Sequence, residues 1–96
     1  MTTDTQELVA PVIDEPATSA TVENAVRLKG TGVPDAIVQV TDLERDVLIL
    51  EVRVWSNGTW SGNAVGNLEG RRVISAVQTH NYATSPASGT RSFVVK

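Results

Sequence analysis

Asp42, Glu44 and Asp46 alternate through the stretch TDLERDV, and carboxylates at that spacing suggest calcium. Ca²⁺ takes about six to eight oxygen ligands from a shaped loop with glycine at its sharp turn. Arg45 sits inside this trio and no glycine does, so the stretch reads as a solvated hairpin connection. His80 is the one histidine, and the chain has no cysteine. A His-based zinc site or a nucleophilic triad needs partners that no nearby Cys or carboxylate pattern supplies, so His80 reads as a surface loop residue. Gly30-Thr31-Gly32 lacks the third glycine and the following helix of a phosphate loop and is read as a turn. Asn57-Gly58-Thr59 matches a glycosylation acceptor, but a hairpin turn already explains Asn-Gly. No catalytic, cofactor-binding or metal-ligating residue is expected. Trp55 and Tyr82 remain as candidate contact residues, since large exposed aromatics are enriched at contact sites.

The elements that would position them follow from length and pattern. A chain of 96 residues fits one domain, with residues 1–7 as a linker and 8–96 as the folded unit. Apolar residues make up 41 %, enough for a modest core without disulfides. The net charge of −3 offers no basic stripe for phosphates, so nucleic acid is not an expected partner. Arg71-Arg72 reads as a solvated strand start. No apolar run approaches the roughly 18 residues of a membrane span. The opening MTTDTQE is polar and acidic, unlike a signal peptide; an export signal would lie outside this chain.

Strand patterns dominate. In VLILEVRVW, Leu48, Leu50, Val52 and Val54 share one parity while Glu51 and Arg53 share the other, the alternation of a half-buried strand. AVRLKG (25–30), AIVQV (36–40), TWSGNA (59–64), RVISAVQT (72–79) and RSFVV (91–95) supply further strands. LVAPVI (8–13) opens the domain, with Pro11 confining it to an edge. About seven short strands between Gly, Pro, Asn and Ser turns predict an all-β sandwich.

VWSNGTW holds both tryptophans, Trp55 and Trp60, around an Asn-Gly pair. A two-residue loop would put both indoles on one face. A three-residue loop, Ser56-Asn57-Gly58 with Gly58 left-handed, instead pairs Trp55 with Thr59 and Val54 with Trp60. Strand alternation favours the second, because the first buries Glu51 and Arg53. Trp60 is therefore expected inside and Trp55 outside, beside Arg53.

Taken in order, LKGTGVPDAIVQV, NGTWS, LEGRRVISAVQT and SPASGTRSFVV resemble the bacterial immunoglobulin-like repeat domains found in tandem in large surface proteins and adhesins. The resemblance covers about residues 9 to 96 and implies an immunoglobulin-like sandwich of two antiparallel sheets. It departs in two places. Asp35 stands where that family usually has glycine, which suggests a type I rather than a type II turn. His80-Asn81-Tyr82-Ala83 replaces the usual Asp and Gly-Asn loop, so the metal or turn role of that loop does not carry over from the resemblance. Some domains of this class carry a Lys–Asn isopeptide crosslink; only Lys29 and Lys96 exist here and the last strand has no Asn, so none is expected. Asp14 and Glu15 lie where tandem modules sometimes clip calcium between domains, a role not expected here.

The resemblance implies a non-catalytic spacer or stalk module at a bacterial cell surface or in the extracellular space, with neighbouring domains of its parent chain as partners and no cofactor. The alternative is a module binding a glycan or a host surface protein through Trp55 and Tyr82. A third reading is an accessory domain of a secreted enzyme or phage tail protein.

Overall fold

Side-chain alternation along each segment requires one face to be covered, and the computed structural model, which describes residues 8–96, covers it by packing two sheets face to face. The expected linker, residues 1–7, lies outside the described residues. The strands are β1 (Val12–Glu15), β2 (Thr21–Val22), β3 (Arg27–Thr31), β4 (Ile37–Asp42), β5 (Val47–Arg53), β6 (Thr59–Asn63), β7 (Gly70–His80), β8 (Ala83–Thr84) and β9 (Arg91–Val95). One sheet has the order β1-β3-β6; the other runs β2-β9-β7-β4-β5, with β8 also on β7. β2 and β8 were not expected from the sequence, since a two-residue strand carries no periodicity to read.

The sheets are not wholly antiparallel. Thr21 and Val22 of β2 run parallel to Val94 and Val95 of β9. The first strand is split between the layers to allow this. β1 begins just after Pro11 and forms an edge, as a residue without an N–H requires. The chain then passes Pro16 and joins the opposite sheet as β2. Arg91 fastens the crossing, donating from its two terminal nitrogens to the carbonyls of Ile13 and Pro16, each at 2.7 Å.

The core gathers Leu28 of β3, Val38 and Val40 of β4, Trp60 of β6, Ile74 of β7 and Phe93 of β9, all buried. Two expectations fail near β5. Leu48 is exposed and Ile49 is buried, although parity placed Leu48 inside. The cause is a β-bulge: Val40 opposes Leu50 and Thr41 opposes Leu48, leaving Ile49 as the extra residue. The bulge shifts the face on which each side chain sits, and the run VLIL is apolar at both parities, so either register hides a large aliphatic group.

The second failure is the carboxylate trio. Asp42 is not solvated; it follows Val38 and Val40 at the inward parity of β4 and is fully buried. A buried carboxylate must be satisfied. Its Oδ2 accepts from Arg72 at 3.3 Å, and its Oδ1 accepts from the N–H groups of Glu44 and Arg45 at 3.2 and 3.4 Å. Arg72 also reaches Glu44 at 3.1 Å. Arg72 is therefore not a free strand start: it ties β7 to the β4–β5 hairpin.

Candidate functional site

The chain between β5 and β6 forms the three-residue loop expected of it. Gly58 donates to the Trp55 carbonyl at 2.9 Å, Trp55 donates to Thr59 at 2.8 Å, and Gly58 has φ 85°. Asn57 Oδ1 closes the turn by accepting from the Thr59 N–H and hydroxyl. Val54 and Trp60 both point inward and are fully buried, but they are not ladder partners. Val54 bonds to Ala36 beside β4, whereas Trp60 opposes Gly30 of β3. The loop is thus a crossing between sheets. The Trp60 indole N–H finds the Thr31 carbonyl at 2.9 Å, satisfying its only polar atom.

Trp55 lies outside, 60 % exposed. Beside it, the Val33-Pro34-Asp35-Ala36 turn closes with Ala36 donating to Val33 at 3.0 Å. Asp35 has φ 71°, so this is a type II turn and not the type I expected from the missing glycine. Asp is among the side chains that tolerate the left-handed region, and its N–H is held by the Val54 carbonyl.

Tyr82 is fully exposed. The loop that carries it is a tight turn, which the sequence reading did not foresee. His80 opposes Ala83, leaving Asn81 and Tyr82 as a two-residue loop with φ 51° and 68°. Positive φ at both positions is the type I′ hairpin turn. His80 closes this hairpin as its last ladder residue.

Asp35, Arg53 and the His80–Tyr82 hairpin surround an open, shallow groove floored by Ile37 and Thr79. Ile37 opposes Arg53 on one side and Thr79 on the other, so all three share the outer face. Of the two candidate contact residues, Tyr82 lines this groove and Trp55 stands outside its lining. Alternation along β5 marks Arg53 as outward, but only the fold brings Asp35 and Tyr82 to it. Among the described residues, no three His, Cys, Asp or Glu side chains gather as metal ligands, and no helix is long and apolar enough to cross a membrane.

On the inward face of the same strands, Gln78 is buried and joins the entering chain to the β3–β4 connection. Its Nε2 donates to the Val9 carbonyl at 2.6 Å and its Oε1 accepts from the Val33 N–H at 2.9 Å. Its own N–H is taken by Ser85 Oγ at 2.9 Å.

Among solved structures that share the fold, two are similar over most of this chain. A biofilm associated protein BSP domain superposes with a TM-score of 0.74 at 20 % identity, over 93 % of this chain and 14 % of that one. The fold is immunoglobulin-like. Fibronectin(III)-like modules of Clostridium thermocellum CbhA superpose with a TM-score of 0.61 at 18 % identity, over 90 % of this chain and 94 % of that one. No protein-family model and no curated protein matches the sequence. The immunoglobulin-like sandwich implied by the motif order is thus the fold observed, and the 96 residues span only a small part of the first of these relatives.

Proposed function

We propose that this domain is a non-catalytic spacer module of a larger bacterial surface or secreted protein, its partners the neighbouring domains of the same chain. One observation carries the reading: the chain enters and leaves at opposite ends of β7. Gln78 holds the carbonyl of Val9, just before β1, while Val95, the last strand residue, opposes Gly70. Eight residues of strand separate Gln78 from Gly70, about 27 Å at 3.3–3.4 Å per residue. A module threaded this way adds its length to whatever it joins.

Both ends are tied to the body of the sandwich. The entry is bonded to Gln78, and the exit is bonded on both sides of β9. Val94 and Lys96 donate to Ala20 and Val22 of the β2 segment at 2.8 and 2.9 Å, while β7 pairs with the other edge. A pull on the two ends loads the parallel β2–β9 bonds together, in shear. The similarity to a biofilm associated protein domain and to fibronectin(III)-like modules supports an extracellular setting.

The test is module exchange in the parent protein. Replacing this domain by an unrelated sandwich of equal end-to-end length should preserve the parent's reach, and deleting it should shorten that reach. A parent whose reach is unchanged by the deletion would contradict the spacer reading.

A further inference from the structure

The groove on the outer sheet face is not explained by a spacer role. Five non-glycine residues among those described have positive φ: Ser19, Asp35, Asp46, Asn81 and Tyr82. Three of them, Asp35, Asn81 and Tyr82, line this one groove. Asn at the first position of a type I′ turn is ordinary, but the second position favours glycine. A tyrosine there holds a strained backbone and, being fully exposed, returns no packing to the fold.

Polar satisfaction points the same way. Asp42, Gln78 and Arg91, which hold the sandwich together, are each hydrogen-bonded within it. The side chains of Asp35, Arg53, Asn81 and Tyr82 are instead exposed, and that of His80 is half-buried. A carboxylate, a guanidinium, an imidazole, an amide and a phenol thus converge on one open surface, facing solvent.

We propose that this groove binds a neutral pyranose oligosaccharide, with the Tyr82 ring as its stacking platform. A pyranose offers a flat C–H face that packs on an aromatic ring and a rim of hydroxyls that both donate and accept. Arg53 supplies donors, Asp35 acceptors, and Asn81 both. A protein partner fits less well, since among the described residues Ile37 is the one aliphatic side chain lining the groove and protein interfaces centre on buried apolar anchors. An anionic polymer is disfavoured by Asp35 and by the net charge of −3. Gln78, which holds Val9, faces inward while the neighbouring Thr79 faces outward, so Val9 lies on the other side of β7 from the groove.

The site is tested by ¹⁵N NMR titration of the domain with three neutral probes: β-1,4-linked glucose hexamer, β-1,4-linked N-acetylglucosamine hexamer and α-linked mannose trimer. At least one should give saturable shifts at Arg53, Thr79, Asn81 and Tyr82, and none in the distant Leu43–Asp46 hairpin. Tyr82→Gly should weaken that binding by about tenfold or more. The same variant relieves the positive φ, so its unfolding midpoint should equal or exceed that of the parent sequence, which separates lost binding from lost folding. Tyr82→Phe should retain most of the affinity. No saturable shift with any probe, shifts mapping elsewhere, or unchanged binding in Tyr82→Gly would overturn the proposal. None of these results bears on the spacer reading, which rests on the chain ends.

Discussion

Gly30 and Trp60 oppose each other across the β3–β6 ladder, and the indole occupies the space that a side chain on Gly30 would need. A Cβ placed there would lie 2.6 Å from Trp60 Cζ2 and would also run into the Val12 carbonyl oxygen. The missing side chain therefore lets the indole lie flat across β3 while β1 closes the other side. Gly30→Ala should cost about 3 kcal/mol, the upper end for overpacking. Trp60→Ala should cost about 3–5 kcal/mol, a large part of the stability of a domain this size. Urea denaturation checks both; a midpoint near the parent value for either would remove this pair from the core.

Trp55→Ser should change stability by no more than about 1 kcal/mol, because Trp55 stands on the outer face. Gly58→Val should destabilise by about 1–2 kcal/mol through its positive φ and not through crowding, since the nearest atom to a Cβ there is the Gly32 carbonyl oxygen at 3.5 Å. Comparing Gly58→Ala with Gly58→Val separates the two causes: similar midpoints indicate backbone strain, and a much lower one for valine indicates crowding.

The bulge in β5 makes a prediction opposite to simple alternation. Ile49→Ala should cost about 2–4 kcal/mol and Leu48→Ala less than about 1 kcal/mol. Thermal unfolding of the two variants decides between the registers: a larger loss at Leu48 would place it inside and return β5 to regular pairing.

Gln78→Leu keeps the bulk but leaves the Val33 N–H and the Val9 carbonyl without partners. The expected loss is about 1–3 kcal/mol, chiefly for the Val33 N–H, since Val9 is exposed and its carbonyl can turn to water. Hydrogen exchange should report it locally, as faster exchange at Val33. Protection at Val33 equal to that of the parent sequence would mean that the glutamine is not what joins the entering chain to β7.

These residues also show what the sequence carries. Trp60 inside and Trp55 outside were readable because Glu51 and Arg53 fix the outer face of β5 and glycine fixes the loop. The bulge at Ile49 was not, because an all-apolar run has no polar residue to mark its register. The burial of Asp42 was hidden because its partner, Arg72, is 30 residues away. The groove had no local signal either. Asp35 and Tyr82 meet only after β4, β7 and β8 have paired, and a tyrosine in a type I′ turn runs against the rule by which such turns are recognised.

The central claim, that chain entry and exit lie at opposite poles, is open to one direct measurement. The sequence contains no cysteine, so Val9→Cys and Lys96→Cys, both at exposed side chains, give a clean pair for spin labels. Double electron–electron resonance on that variant should give a single distance of roughly 25–40 Å, the strand separation of about 27 Å plus the reach of the labels. A distance below about 15 Å would bring the two ends to one pole and contradict the spacer account.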